Sequence, residues 1–157
     1  MSLQVADLRD GEVTGILPSG FDAGLYFIGR IQTPWRDRSA CPRRGDPVSG
    51  PNCRIELFDP WTRALEGIDR HDNLDILYWM NQARRDLLLQ APRHAERTLG
   101  TFALRSPMRP NPIALSRVKL VTLGENWLEV RGLDCIDGTP LLDIKPEHCP
   151  NALTPGA

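Results

Sequence analysis

The segment Ile113-Ala-Leu-Ser-Arg-Val-Lys-Leu-Val-Thr-Leu123 continues through Gly124-Glu-Asn126 into Trp127-Leu-Glu-Val-Arg-Gly-Leu-Asp-Cys-Ile136. The first stretch is mostly apolar and β-branched, which predicts a long strand. Glycine and asparagine at the break predict a turn, so the second stretch is expected to return as the other arm of a hairpin. This hairpin makes a β-sheet architecture the starting expectation.

A proline-rich loop precedes the hairpin. It reads Arg105-Ser-Pro-Met-Arg-Pro-Asn-Pro112 and sets Arg105, Arg109 and Asn111 among the prolines. Proline fixes φ, donates no backbone hydrogen bond and keeps its predecessor extended, which excludes a regular helix or a central strand. A stiff loop loses little conformational entropy when it binds a ligand, so these side chains are candidates for a binding site. The alternative is a surface loop with solvated arginines.

A second unusual turn follows the hairpin. Asp137-Gly-Thr-Pro140 has turn chemistry, because Asp and Gly support tight backbone and Pro blocks continuation. Leu141 to Lys145 is predicted as the last strand, and Pro146 ends it. Two rigid connections therefore lie on either side of the predicted hairpin.

Other apolar runs predict the remaining elements. Asp59 to Gly67 begins with an N-cap and a proline and closes with a glycine, which predicts one short helix. Residues 81–89 fit either a helical turn or a hairpin arm. Further strands are predicted at residues 25–33, 53–58, 73–80 and 101–104.

These elements together predict a mainly β protein: a single closed or nearly closed β-barrel of about six to eight strands with one or two short helices. The predicted domain organisation is an N-terminal tail or variable arm over residues 1–24, the barrel over 25–150 and a C-terminal tail over 151–157. A chain of 157 residues with 41% hydrophobic content suits one such domain.

Charge and composition narrow the function classes. The formal net charge of −1 gives no global attraction to nucleic acid, although arginines crowd residues 30–44. No apolar run approaches membrane-spanning length, and no signal-peptide pattern begins the chain, so a cytoplasmic location is expected. The four cysteines contain no CxxC pair and the three histidines are dispersed. Idle thiols and no metal are therefore expected.

Taken together, the motifs resemble the TsaA family, also called the TrmO family, of small β-barrel proteins. The strongest elements are Arg105-Ser-Pro-Met-Arg-Pro-Asn-Pro-Ile-Ala-Leu-Ser116 and Asp137-Gly-Thr-Pro-Leu-Leu-Asp-Ile-Lys-Pro146, with weaker support from Ile28-Gly-Arg-Ile-Gln-Thr-Pro34 and Cys41-Pro-Arg-Arg44. The resemblance implies methyl transfer from S-adenosylmethionine to the N6 nitrogen of threonylcarbamoyladenosine beside the tRNA anticodon. It also implies a homodimer with cofactor sites near the subunit interface.

The same resemblance implies which residues contact the cofactor. Where family members commonly carry Ser-His-Ile, this chain has Asp72-Asn73-Leu74, a departure within the expected pocket. The implied cofactor contacts are Pro42, Arg43, Arg44, Asn73, Leu74, Arg105, Leu115, Asp137, Gly138, Thr139 and Pro140.

The chemistry of these residues suits that cofactor. An arginine, either Arg105 or Arg43, could bind the methionine carboxylate through paired charged hydrogen bonds. Asp137 could accept hydrogen bonds from ribose hydroxyls. The amide-like N6 acceptor is a poor nucleophile and needs a nearby base or strong acceptor, for which Asn111 and Asp143 are the candidates. The alternatives are an Asp143 ion-paired with Lys145 and an Asn111 that bonds its own backbone.

RNA contacts are expected in the arginine-rich loop. Arg36 and Arg38 could meet phosphates, and Trp35 could stack on a base. A solvated charged loop is the competing interpretation. Two other functions stay open: a non-catalytic module that binds S-adenosylmethionine or RNA, and a methyltransferase with a different acceptor.

Overall fold

The computed structural model describes residues 8–93 and 95–149. They fall into two compact units: one combines residues up to Leu25 with Met80–Ala114, and the other combines Tyr26–Trp79 with the residues from Leu115 onward. The strands are β1 (Val13–Thr14), β2 (Gly29–Gln32), β3 (Asn52–Leu57), β4 (Asn73–Trp79), β5 (Leu87–Gln90), β6 (Leu99–Gly100), β7 (Ile113–Leu123), β8 (Trp127–Arg131) and β9 (Thr139–Pro146).

Six of these strands close into a barrel, which lies almost entirely in the second unit. Their order around the ring is β2-β3-β8-β7-β4-β9. Alternate residues point inward, as in β3, where Cys53, Ile55 and Leu57 are buried and Arg54 is exposed. The prediction of a mainly β, closed barrel is therefore confirmed. The largest inward side chains, all fully buried, are Ile31, Ile55, Leu74, Ile76, Leu128, Val118, Val130 and Leu141.

The strand register defines two ends of the barrel. Strand β9 runs antiparallel to β4, with Leu74 opposite Pro146 and Tyr78 opposite Leu141. It also runs antiparallel to β2, with Ile31 opposite Thr139. The start of β4 and the end of β9 thus form one end, here called the Asn73 end. The start of β9 and the end of β2 form the other, here called the Thr139 end.

The first unit contains a small antiparallel sheet in the order β1-β5-β6. Val13 pairs with Leu89, and Leu89 also pairs with Gly100. Residues 13 and 14 of the predicted N-terminal arm are therefore part of a sheet. Both alternatives for residues 81–89 are observed in part. The range begins with a turn, in which the Ala83 amide donates to the Met80 carbonyl at 2.9 Å, and residues 87–89 belong to β5, which pairs with β6 as a hairpin arm.

The predicted short helix at Asp59 to Gly67 is wrong in type. Two 3₁₀ turns, Trp61–Leu65 and Ile68–Arg70, occupy this region. Leu65 is the only buried residue in them, so no apolar face stabilises a full α-helix against the cost of nucleating it. The predicted glycine stop is confirmed, since Gly67 adopts φ of 85°.

Four predicted strands differ from the structure in type or by more than one residue. One of them is β9, which begins at Thr139 and includes Pro140, a residue expected to end the turn before the strand. Residues 25–27 belong to no barrel strand, whereas the Ile28 backbone already bonds to Leu141 and Phe58. Strand β8 ends at Arg131 because Gly132 adopts φ of 119°. Residues 101–103 form a 3₁₀ turn instead of a strand. The Thr101 hydroxyl donates to the Leu87 carbonyl at 2.6 Å, which ties this turn to β5. Among the described residues, no helix has the length and apolar character needed to cross a bilayer.

Candidate functional site at the two ends of the barrel

The predicted turn at Asp137 is held rigidly at the Thr139 end. The amide of Asp137 donates to the Trp35 carbonyl at 2.7 Å, and the amide of Gly138 donates to the Ile31 carbonyl at 2.8 Å. Gly138 has φ of 81°, a conformation that glycine adopts without strain. Both turn residues are exposed, so a rigid backbone corner is presented to solvent.

Side-chain hydrogen bonds tie the same turn to β2. One carboxylate oxygen of Asp137 accepts the amide of Thr33 at 3.0 Å. The Thr33 hydroxyl donates to the Cys135 carbonyl at 2.8 Å. Thr139 is buried and its hydroxyl donates to the Ile136 carbonyl at 2.6 Å. Asp137 therefore keeps one carboxylate oxygen available for a ligand. The Thr139 side chain, in contrast, is used in a hydrogen bond within the turn.

The arginine-rich loop packs beside the segment that follows β8. A Cβ added at Gly45 would lie 1.7 Å from the Gly132 carbonyl oxygen, so only glycine permits this approach. Pro42, Arg43 and Arg44 immediately precede this contact, and all three are exposed. The loop is thus anchored at a backbone contact and presents two guanidinium groups next to it.

The predicted RNA contacts lie earlier in the same loop. Arg36 and Arg38 are exposed, and Trp35 is partly buried, with its carbonyl engaged by Asp137. The Asp37 carboxylate accepts hydrogen bonds from the Ser39 hydroxyl and the Ala40 amide, and these bonds lower the pKa of Asp37. A local turn therefore orders the segment that carries the two arginines.

At the Asn73 end, polar residues line a small pocket. The Asn73 side-chain amide donates to Glu147 at 3.3 Å, and Arg117 joins Glu147 to Asp75 through contacts of 2.7 and 2.9 Å. Leu74 is fully buried, which leaves only its backbone for any ligand. The pocket measures about 170 Å³, and it is lined by Arg70, His71, Asp72, Asn73, Glu147 and His148.

The barrel does not bring all the predicted cofactor contacts of the second unit together within one copy. Asn73 lies beside the end of β9, and Thr139 is its first residue. At roughly 3.3 Å per residue, the length of β9 separates them by about 23 Å. That distance exceeds the length of a nucleoside carrying one amino acid. The pocket at the Asn73 end is also smaller than the ~300 Å³ that usually encloses a ligand of this size.

The proline-rich loop lies in the first unit. Arg85 donates to the Pro110 carbonyl and to the Asn111 side-chain oxygen, the latter at 3.1 Å. Arg109 donates to the Leu104 and Ser106 carbonyls, so it braces its own loop. Arg105 is exposed and makes no hydrogen bond or ion pair with any other residue in 8–93 or 95–149. Of the loop's two arginines, Arg105 is thus the one available to a ligand.

Asp143 forms an ion pair with Lys145, which the sequence offered as the alternative to a catalytic role for Asp143. Its carboxylate lies 2.7 Å from the Lys145 ammonium, and its other oxygen accepts the Ile144 amide at 2.9 Å. Both side chains are largely exposed, at 45% for Asp143 and 61% for Lys145. A role for Asp143 as a base would require it to give up one of these contacts.

Sequence reasoning missed one polar cluster below the Thr139 end. The Tyr78 hydroxyl donates to the Asp134 carboxylate at 2.7 Å and lies 2.8 Å from the Ser116 hydroxyl. Ser116 also donates to Asp134, at 3.3 Å. A tyrosine at an inward-facing position of β4 and a serine closing the proline-rich motif were the available signals, but only the fold brings them to Asp134.

Two of the cysteines, Cys53 and Cys135, are buried. Burial raises the pKa of Cys135 to about 12 and that of Cys53 to about 11, so both stay protonated at neutral pH. All four cysteines are free. Within the described ranges, no three His, Cys, Asp or Glu side chains converge on a common point.

Comparison with known proteins identifies related chains. Residues 30–151 match the model of the tRNA-methyltransferase O N-terminal domain. A probable S-adenosyl-L-methionine-binding protein, VirR of Rhizobium radiobacter, is 49% identical over 90% of this chain and 80% of its own length. The tRNA (adenine(37)-N6)-methyltransferase of Escherichia coli is 33% identical over 76% of this chain and 55% of its own length.

The fold has a counterpart among solved structures. The crystal structure of TrmO from P. aeruginosa superposes with a TM-score of 0.66 at 32% identity, covering 87% of this chain and 60% of that one. The chain therefore spans about three fifths of the length of this crystallised protein.

Proposed function

Because the chain belongs to the family of the tRNA-methyltransferase O N-terminal domain, we propose that it is an S-adenosylmethionine-dependent methyltransferase whose acceptor is N6 of threonylcarbamoyladenosine beside the tRNA anticodon. The observation that carries the proposal is the match of 76% of the chain to a protein named as a tRNA (adenine(37)-N6)-methyltransferase. We expect it to work where tRNA is found, in the cytoplasm.

The residues present fit the cofactor. Exposed guanidinium groups at Arg44 and Arg105 match a carboxylate, and the exposed Asp137 carboxylate matches ribose hydroxyls. Leu115, Gly138 and the turn backbone offer an apolar and peptide surface for the adenine. When bound, S-adenosylmethionine supplies an electrophilic methyl group on a sulfonium, so the protein's task is to orient the reacting groups and exclude water.

The separation of the two barrel ends supports a homodimer. Asn73 from one copy and the turn at Asp137 from a second copy can meet at one site, even though β9 holds them about 23 Å apart within a copy. A two-fold interface would form two such sites. The small pocket at the Asn73 end would then be one wall of a larger cavity completed by the partner.

The acceptor end of the reaction is assigned to Asn111 and Asp143. Asn111 is exposed, and Arg85 holds its side-chain oxygen, which orients the amide group. Asp143 would accept a proton or a hydrogen bond after release of Lys145. Arg36 and Arg38 would bind phosphates, and doubling of this patch in a dimer would offset the near-zero net charge of the chain.

A direct test uses tRNA from a bacterial strain that lacks the endogenous N6-methyltransferase. Incubated with S-adenosylmethionine and the purified protein, this tRNA should gain N6-methyl-threonylcarbamoyladenosine, measured by mass spectrometry of its nucleosides. Identical tRNA without threonylcarbamoyladenosine is the control and should stay unmethylated. Methylation of the control tRNA, or of another nucleoside, would instead favour a different acceptor.

A second candidate function is a non-catalytic S-adenosylmethionine-binding module. It is favoured by the 49% identical relative, which is named only as a probable binding protein. Binding of the cofactor without methyl transfer to any fraction of a tRNA pool would support this alternative over the enzyme.

A further inference from the structure

Asp134 is a partly buried carboxylate with an unusual set of neighbours. One of its oxygens accepts hydrogen bonds from the Tyr78 and Ser116 hydroxyls at 2.7 and 3.3 Å. Among the described residues, no group donates to its second oxygen, and no basic side chain lies within ion-pair distance. Neutral donors thus hold the carboxylate in place without neutralising it.

The second oxygen of Asp134 is open to solvent, because no buried side-chain oxygen among the described residues lacks a hydrogen-bond partner. A cationic group can therefore reach this oxygen, and hydrogen bonds between opposite charges are among the strong ones in proteins. Tyr78 is 2% exposed, and burial followed by the charge of Asp134 raises its pKa. The Tyr78 phenol therefore stays protonated at neutral pH and donates its hydrogen bond to one oxygen of Asp134. This bond fixes the orientation of the carboxylate and leaves its other oxygen available to a ligand.

Asp134 lies close to two groups of proposed cofactor contacts, the turn at Asp137 and the arginine-rich loop. The turn begins three residues after Asp134 in the chain. Burial and the charge of Asp134 both raise the pKa of Cys41, which places Asp134 near the start of the loop that carries Arg43 and Arg44. The carboxylate sits where these proposed contacts approach one another.

S-adenosylmethionine carries a positively charged α-ammonium group, and the one carboxylate among the implied contacts, Asp137, is already assigned to the ribose. The arginines suit its carboxylate, and Asp137 suits its ribose. We propose that Asp134 binds the α-ammonium group of the cofactor's amino-acid moiety and that Tyr78 and Ser116 are positioning residues that orient it. This inference rests on the proposed function, because it assigns a further contact within the same cofactor site.

The test is isothermal titration of the full chain with two neutral-sulfur probes. S-adenosylhomocysteine keeps the amino-acid moiety, whereas 5′-methylthioadenosine lacks it. Asp134→Asn preserves the side-chain shape and removes the charge. It should weaken S-adenosylhomocysteine binding by about 10- to 100-fold, the range for a hydrogen bond between charged groups. Binding of 5′-methylthioadenosine should change by less than about twofold, since only uncharged contacts remain.

Matched variants separate binding from a structural role. Tyr78→Phe keeps the buried ring and removes the hydroxyl, so it should show a smaller loss with the same selectivity for S-adenosylhomocysteine. If Asp134→Asn weakens the binding of both probes equally, the assignment is overturned. The cluster of Tyr78, Ser116 and Asp134 would then serve to stabilise the turn at Asp137. Unchanged binding of S-adenosylhomocysteine would also overturn it. If the wild-type protein bound neither probe nor S-adenosylmethionine, the proposed function itself would fail.

Discussion

Ile76→Ala is expected to lower the free energy of unfolding by about 2–5 kcal/mol. Ile76 is fully buried in β4, between Leu74 and Tyr78, and pairs across the sheet with Ile144. The truncation removes several methyl groups from a closed barrel, whose ring of strands has little freedom to collapse into the cavity. Urea unfolding followed by circular dichroism measures the loss as a lower midpoint at unchanged slope.

The conservative variant Ile76→Val is the matched control and should cost only about 0.5–1.5 kcal/mol. Similar losses in both variants would mean that the terminal methyl group of Ile76, and not the total volume removed, determines stability at this position. A loss below 1 kcal/mol for Ile76→Ala would contradict the placement of this side chain in the barrel core.

Arg105→Ala is expected to weaken S-adenosylmethionine binding by about 1.5–3 kcal/mol, the worth of hydrogen bonds to a charged group. The guanidinium is exposed and makes no hydrogen bond or ion pair with another described residue, so its removal leaves the described contacts of the loop intact. Arg109, in contrast, bonds two carbonyls of that loop. Isothermal titration gives the change in affinity, and thermal unfolding without ligand should be unaffected.

Arg97→Ala is the control for the loss of one positive charge from the same unit. Arg97 is exposed and is assigned no cofactor contact, so this variant should bind like the wild type. If Arg105→Ala binds S-adenosylmethionine with wild-type affinity, Arg105 is not a cofactor contact. The cofactor's carboxylate would then be bound by the loop that carries Arg43 and Arg44.

Local patterns predicted the barrel strands well. The alternation of Cys53, Ile55 and Leu57 predicted β3 to within one residue at either end, and the apolar run at 73–80 predicted β4. The turn at Gly124 was predicted from its residues, and β7 and β8 flank it. In each case, neighbours along the chain carry the signal, because side chains alternate across a strand.

Long-range register could not be predicted in the same way. The separation of Asn73 from the turn at Asp137 follows from β9 pairing with β4 and β2, partners that are distant in sequence. The cluster of Tyr78, Ser116 and Asp134 likewise joins three elements. Gly132 gave no strong stop signal, yet its positive φ ended β8 earlier than expected.

The most direct test of a site shared between two copies is subunit mixing. A variant with Arg43 and Arg44 changed to alanine loses the proposed contacts near the Thr139 end, and Asn73→Ala loses those at the other end. Each variant alone should retain little methyl transfer. Coexpressed in equal amounts, they should recover about a quarter of wild-type activity, because half of the dimers are mixed and each mixed dimer has one intact site of two. Activity that stays at the level of the separate variants, beside an active wild type, would contradict the shared site.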